Sequence, residues 1–402
     1  MIKTISTAQI RKGMFIHELN SSWLNHPFAR NRFKITEPSD IKKLLQSGIK
    51  TLKIDTDKGL DIEQAETKPE STETSPALKE QASKTKNFQK PQKSLKAVRI
   101  QAKDIKTLAE QCITNIMSDV KLGQQVKMEQ VTPVVDKMAE SVLQNHNALL
   151  GLSRIRHMDT YTFEHSVNIG VLMMSFTKSR GMSAAIIHDV GVGGLLHDIG
   201  KTLTPDNILN KPGKLTDEEF KIMRHHVVDS RIILEKTDGI NQNALDVAAL
   251  HHEKYDGSGY PNGYKEDEIS EIGQMSAIVD VYDALTADRC YHKGQDPSVV
   301  LKRMLSWGGS HFNPQLLQEF IHCVGIYPPA TLVMLDNKFL AVVYENGKNL
   351  LTPRVIVFLN SKTNETIEPY LLDLSKQSKY KITSSESDQK WRIDPQKYMD
   401  LV

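Results

Sequence analysis

Thiols are scarce in this chain. Its 402 residues include three cysteines, Cys112, Cys290 and Cys323, far apart, odd in number and without a CxxC pair. That excludes a thiolate zinc site and a disulfide framework. Long apolar runs are missing as well: no stretch reaches the roughly 18 residues that a membrane span needs, and none is expected. The opening residues, MIKTISTAQIRKGMFIHEL, lack the apolar core of a signal peptide. Neither sign of charge dominates, because 51 basic residues face 49 acidic ones for a net charge of +2. A nucleic-acid polymer or a membrane surface would meet no broad attractive field. The expectation is a reduced, cytoplasmic protein, with room for a locally basic phosphate pocket.

What is present reads as several domains. Hydrophobic content of 39% and charged content of 25% are globular values, and the length suggests two or three domains. Residues 1–60 read as a small α+β unit, with IRKGMFI and IKTLKID as strands and EPSDIKKLLQSGI as a helix between them. Within this unit, WLNHPFARNRF is an aromatic and basic cluster whose plainest reading is a packed turn. Residues 61–96 are rich in Glu, Lys, Ser, Thr, Gln and Pro and hold a single aromatic residue. Such a segment buries too little to offset chain entropy, so a flexible linker is expected. From 97 to 330 the apolar spacing is helical, as in IKTLAEQCITNIMSDV, and an all-α core follows. TDEEFKIMRHHVVDSRIILEK starts with Thr216 and Glu219, a capping-box pair, and reads as one helix. After 330, TLVMLDNKFLAVVYEN, RVIVFLN and EPYLLDL read as strands of a β-rich extension over 331–402.

The chemistry is concentrated in the helical core. HHEKYDGSGYP sets His251 and His252 side by side before a loop of Gly257, Gly259 and Pro261. Neighbouring residues on a helix point about 100° apart. Both rings reach one site only if the helix ends there, and the DGSGYP run supplies that end. Upstream, LLHDIGK pairs His197 with Asp198 and carries Lys201. His165 stands in DTYTFEHS, MRHHVV offers His225 or His226, and AIVDVYDAL carries Asp280 and Asp283 in an apolar run.

Each of these residues has a bland reading as a surface or satisfied core group. Together they do not, because acids in apolar surroundings are costly unless paired or metal-bound. Five histidines and two aspartates exceed the needs of one ion and suffice for two that share a bridging carboxylate. Imidazole and carboxylate donors without thiolate suit iron, manganese, zinc, nickel or cobalt. Two ions roughly 3.5–4 Å apart form the clamp used in phosphoester hydrolysis, with a water acidified to a pKa of about 7 as nucleophile. Lys201 would face the same site and neutralise phosphate charge.

These motifs together resemble the HD-GYP family, a branch of the HD metal-dependent phosphohydrolases. The likeness rests on Asp159 to His165, HDIGK, KPGKLTDEE, HH at 225–226, HHEKYDGSGYP and DVYDALTADR, in order across about residues 135–325. The resemblance implies an all-α HD core within a multidomain chain. It implies that His165, His197, Asp198 and Asp280 hold one metal, and Asp198, His226, His251 and His252 a second. Iron or manganese would be the usual ions. His226 is preferred to His225 because the family places that ligand three residues after Met223. Asp198 and Lys201 take the catalytic roles. Lys201, Arg289, Asp159 and the Gly259–Tyr260–Pro261 loop would contact substrate.

The implied substrate is cyclic di-GMP, hydrolysed to pGpG, with further hydrolysis to GMP left open. Cyclic GMP-AMP, or a role as a cyclic dinucleotide receptor, are the alternatives. A di-iron oxygenase fits less well with Lys201 and Arg289, both suited to phosphate. In relatives the GYP loop is also a proposed contact for diguanylate cyclases. Two departures stand out. Tyr161 occupies the position of a glutamate that helps bind a third metal in some relatives, so two metals are expected here, and Glu164 is badly placed to substitute. His292 replaces a basic residue. GMFIHEL, SWLNHPF and IDTDKG also resemble a domain of unknown function that often precedes HD-GYP domains.

Overall fold

The computed structural model describes residues 2–19, 32–36, 40–41, 44–45, 49, 51–60, 95–153, 161–287, 294–377 and 379–401. The chain divides into two compact units, Met1–Ser94 and Leu95–Val402.

The first unit is built on an antiparallel sheet in the order β1-β4-β2-β3, from β1 (Ile2–Ser6), β2 (Phe15–Glu18), β3 (Phe33–Lys34) and β4 (Thr51–Asp55). Ile5, Ile16, Leu52 and Ile54 are buried with Met14, Ile35 and Leu44 in one core. Residues 40–41 and 44–45 are helical, within the stretch expected to be a helix. The strand expected over 10–16 is displaced: the chain turns at Lys12–Gly13 and pairing begins only at Phe15. β1 had no counterpart in the sequence reading. Most of WLNHPFARNRF, and the expected linker up to Ser94, lie outside the described residues.

The second unit is helical from Leu95 to Val324. Its helices are α1 (Leu95–Lys121), α2 (Met128–Ser153), α3 (Tyr161–Ser179), α4 (Ala184–Leu196), α5 (Asp206–Leu209), α6 (Asp217–Arg224), α7 (His226–Glu235), α8 (Gln242–Leu250), α9 (Glu271–Thr286), α10 (Pro297–Ser306) and α11 (Pro314–Val324). The sequence AAIIHDVGVGGLL of α4 is apolar nearly all round, the mark of a central helix. Accordingly α4 packs against α2, α3 and α8 and is buried from Val190 to Leu196. α9 is buried over most of its length and packs on α3 and α8. These contacts bring the C-terminal ends of α4 and α8 together beside His165, near the start of α3, and Asp280 of α9.

A five-stranded antiparallel sheet follows, in the order β8-β7-β6-β5-β9. Its strands are β5 (Leu332–Leu335), β6 (Phe339–Glu345), β7 (Arg354–Asn360), β8 (Glu365–Asp373) and β9 (Ile382–Glu386). The central strands bury both faces, and their near-continuous apolar sequences reflect it. The short helices α12 (Asp388–Trp391) and α13 (Pro395–Met399) close the chain. Buried Arg99 of α1 ties this region to the helices. It donates to the carbonyls of Met399 and of Tyr344, the latter at 3.4 Å, and lies 4.5 Å from the Tyr344 ring centre. No described helix is long and apolar enough to cross a membrane.

Candidate metal centre

Helix ends supply most of the site. α4 stops at Leu196 and hands on His197 and Asp198, which lead into a 3-10 turn over Ile199–Leu203. α8 stops at Leu250 and hands on His251 and His252. The stretch expected to be one helix from Thr216 is two, α6 and α7, meeting at His225. The capping box of Thr216 and Glu219 is present.

The break has a local cause. His226 turns inward and its Nδ1 takes the Met223 carbonyl at 2.5 Å, the carbonyl that residue 227 would use in an unbroken helix. Gly200 lets α7 come this close, since a Cβ there would lie 2.2 Å from the His226 carbonyl oxygen. Its amide also donates to the Ser230 hydroxyl at 2.8 Å.

The same device recurs twice. His197 Nδ1 lies 2.8 Å from the Gly194 carbonyl, and His251 Nδ1 lies 2.9 Å from the Ala248 carbonyl. A carbonyl only accepts, so in all three rings Nδ1 carries the proton and Nε2 presents a lone pair. Those Nε2 atoms are buried and have no hydrogen-bond partner, and the same is true of Asp198 Oδ1. They converge on Asp198: His197 Nε2 is 3.2 Å from Oδ2, His226 Nε2 3.3 Å from Oδ1, and His251 Nε2 3.9 Å from Oδ1.

Lone pairs therefore face a carboxylate with no proton between them. Such an arrangement is repulsive unless a cation lies among the donors, and the donor set fits a divalent metal. Donor atoms within 4.8 Å of one another form three sets: His165 with His197 and Asp280, His197 with Asp198 and His251, and His226 with His251 and His252. Asp198 stands between the two ends of the cluster, Oδ2 toward His165 and His197, Oδ1 toward His226 and His251.

His165 is oriented differently. Its Nδ1 lies 2.7 Å from Asp283 Oδ2, and its Nε2 lies 3.2 Å from Asp280 Oδ1. Burial pulls its pKa down, but the two carboxylates outweigh burial and raise it to about 9. Burial lowers the other rings: His226 falls, His251 falls well below its ordinary value, and His252 drops to about 3. Burial pushes Asp198 and Asp280 up, yet the neighbouring imidazoles, with Lys201 for Asp198, hold both below the usual carboxylate range. His226, His251 and His252 are thus kept neutral beside ionised acids, the forms a metal takes up, whereas His165 must first give up a proton.

Lys201 is at the site, as expected, with Nζ 2.5 Å from Asp198 Oδ2. It sits on the 3-10 turn rather than on a continuation of α4. His225, the competing choice, points away; it is 62% exposed and 3.1 Å from Asp229. Asp159, Arg289 and His292 lie outside the described residues, as does the side chain of Tyr161.

The DGSGYP loop forms the rim. Buried Glu253, the acid after the two histidines, accepts from the backbone amides of Asn262 and Gly263 at 2.8 and 3.1 Å. Gly259 is required where it is, because a Cβ would lie 2.3 Å from the Lys254 amide nitrogen. The Tyr260 amide bonds the His252 carbonyl, and its ring lies 4.7 Å from the His252 ring at 32°. Pro261 and Asn262 are exposed. Two roles escaped the sequence reading: Asp283 as the partner of His165, and Glu253 as the clamp of the loop. Asp283 was visible as an acid in an apolar run, but its partner, 118 residues away, was not.

An HD domain is the class that this helical core and its histidine–aspartate cluster define, and the family described as HD domain matches residues 133–316. A second family, described as a domain of unknown function (DUF3391), matches residues 2–131. That match runs through α1. The chain is 37% identical over 378 residues to the cyclic di-GMP phosphodiesterase PA4108 of Pseudomonas aeruginosa, covering 94% of this chain and 90% of that protein. A cyclic di-GMP phosphodiesterase of Thermotoga maritima is 36% identical over 171 residues, 42% of this chain and 46% of the relative. The 3'3'-cGAMP-specific phosphodiesterase 2 of Vibrio cholerae is 44% identical over 124 residues, 31% of this chain and 24% of the relative. The chain belongs to the HD-GYP family, and it is a metal-dependent enzyme.

Proposed function

We propose that this enzyme hydrolyses the 3'-5' phosphodiester bonds of a cyclic dinucleotide, cyclic di-GMP foremost, giving pGpG and then GMP. The observation that carries the reading is the convergence of three protonless Nε2 atoms and an unpartnered carboxylate oxygen on one buried point. We assign one divalent ion to His165, His197, Asp198 and Asp280, and a second to Asp198, His226, His251 and His252. These donors accept iron or manganese, the ions that the family resemblance favours, as well as zinc, nickel or cobalt. Such a pair, when bound, supplies Lewis acidity at the phosphate and a water acidic enough to attack at neutral pH.

The protein's own groups do the rest. Asp198 turns one oxygen to each half of the cluster and so fixes the spacing of the two sites. The carbonyls of Gly194, Met223 and Ala248 lock three imidazoles in the Nδ1–H form before any ligand arrives. Lys201 is partly exposed beside Asp198, where its ammonium can meet a phosphate oxygen. The Tyr260 ring lies against that of His252 at the edge of the cluster. The high identity with the Pseudomonas protein across nearly the whole chain supports cyclic di-GMP as the first substrate to try.

The test is product analysis. The protein is purified without oxygen, supplied with manganese or ferrous iron, mixed with cyclic di-GMP, and its nucleotides are resolved over time. Appearance of pGpG or GMP, suppressed by Asp198→Ala, supports the reading and fixes where hydrolysis stops. A metal-loaded protein that leaves both cyclic di-GMP and cyclic GMP-AMP intact overturns it.

A further inference from the structure

Arg224 sits next to the metal cluster and has no assigned role. It ends α6, two residues before His226. His226 turns into the cluster, and Arg224 lies over the rim. Its guanidinium carbon is 4.5 Å from the Phe220 ring centre and 4.6 Å from the Tyr260 ring centre. The two rings stand 6.4 Å apart at 75°, so the guanidinium nests in the corner between them. Tyr260 in turn stacks toward His252, whose ring is 4.1 Å from that of His251. A continuous ladder of planar groups thus runs from the surface to the metal donors.

The arginine is held but not neutralised. Among the described residues no carboxylate or carbonyl pairs with its guanidinium. The nearby acid Asp229 is engaged with His225 at 3.1 Å. Phe220 remains 40% exposed, and Arg224 itself is exposed. Aromatic faces fix the plane of a guanidinium while its N–H edge stays free. That edge offers donors only, in a fork. Guanine presents two acceptors side by side, O6 and N7; adenine presents N7 beside an N6 donor. A phosphate needs a cation but no fixed plane, and Lys201 already supplies one at the cluster.

From this geometry we propose that Arg224, set by Phe220 and Tyr260, reads the O6/N7 edge of one guanine of the bound dinucleotide and is the residue that selects guanine over adenine. This rests on the cyclic dinucleotide reading. With one such reader, cyclic di-GMP and cyclic GMP-AMP are both accepted through a guanine, and cyclic di-AMP is discriminated against.

The experiment measures kcat and KM for these three substrates with the metal-loaded protein, Arg224→Ala and Arg224→Lys, alongside the metal content of each. The wild-type protein should prefer cyclic di-GMP to cyclic di-AMP about tenfold or more. Both variants should lose most of that preference, mainly through a higher KM for the guanine substrates. Lysine keeps the charge but not the fork, so it should not rescue. A wild-type enzyme that cleaves cyclic di-AMP equally well overturns the proposal. So do variants that slow all three substrates alike, which would make Arg224 a phosphate contact, or variants that lose metal. A wild-type protein that cleaves none of the three fails the underlying functional reading, a result separable from loss of base preference alone.

Discussion

The metal cluster and the loop at its rim are neighbours held in opposite ways. In the cluster each buried ring is pinned by a group that leaves no choice of tautomer: a backbone carbonyl for His197, His226 and His251, a carboxylate for His165. At the rim the backbone is pinned, by Glu253 and by the close approach at Gly259, while the side chains of Arg224, Phe220 and Pro261 face solvent. Burial makes the first arrangement necessary, because an unpaired polar atom is expensive there. Exposure makes the second affordable and leaves groups free to meet a ligand. Chemistry is placed where nothing can move, and recognition where something is still unsatisfied.

The largest effect should come from the centre of the cluster. Asp198→Ala removes the carboxylate shared by both halves. Metal content should fall and hydrolysis should vanish, with the helical circular dichroism unchanged; retention of full metal and activity would refute the ligand assignment. Asp283→Asn is subtler, since it leaves every proposed ligand intact and weakens only the hold on His165. Metal affinity should drop about 10- to 100-fold, read by competition with a chelator, and an unchanged affinity would reduce Asp283 to packing.

Proton bookkeeping sharpens the contrast within the cluster. His165 has a folded pKa of about 9, above the ordinary 6.5, so it is charged near pH 7.5 in the metal-free protein, whereas His226, His251 and His252 are neutral. Loading metal near pH 7.5 should release about one proton from His165, in addition to any given up by metal-bound water, and His165→Gln should lack that share. Calorimetry in two buffers of different ionisation enthalpy, comparing the wild-type protein with His165→Gln, measures that share, and the difference should fade above pH 9. The sign for stability follows. The contribution of His165 to the metal-free fold is full below pH 6.5 and lost as pH rises through 9, so the corresponding decline in melting temperature should be missing from His165→Gln. The smallest effect belongs to the rim. The Glu253 clamp uses the backbone amide of Asn262 and spares its exposed side chain, so Asn262→Ala should change activity less than twofold, of the order expected for a neutral surface substitution. A large loss would mean that the loop's outer edge takes part in catalysis.

Much of the site was legible before the structure, and the part that was not has a common cause. His197, Asp198, His251, His252 and Asp280 announce themselves because each stands in or beside an apolar or glycine-rich run, and His165 by its place in the motif DTYTFEHS. What holds His197 and His251 is a backbone carbonyl three residues back, which has no letter in the sequence, and what holds His165 is Asp283, 118 residues away. His225 and His226 look alike in one dimension; only the break between α6 and α7, set by Gly200 and Met223, separates them. In the β-rich extension four strands carry apolar alternation or continuous apolar runs and could be read. The fifth, ITSSE, is mostly serine and threonine with no apolar face, and nothing local marks it as a strand. In the N-terminal unit the strand signal at 10–16 was real in its apolar residues but misplaced in register, because the turn before Met14 was not recognised.

Arg99 carries a consequence for how the molecule is made. Its guanidinium is buried against Tyr344 and the Met399 carbonyl, 300 residues further along the chain. At about 5–20 residues per second, that partner leaves the ribosome roughly 15–60 seconds after Arg99 does. Until then the nascent helical unit must carry a solvated arginine where the finished one has a latch. The unit can gather its helices during synthesis, but it closes only once the turn that carries Met399 has emerged.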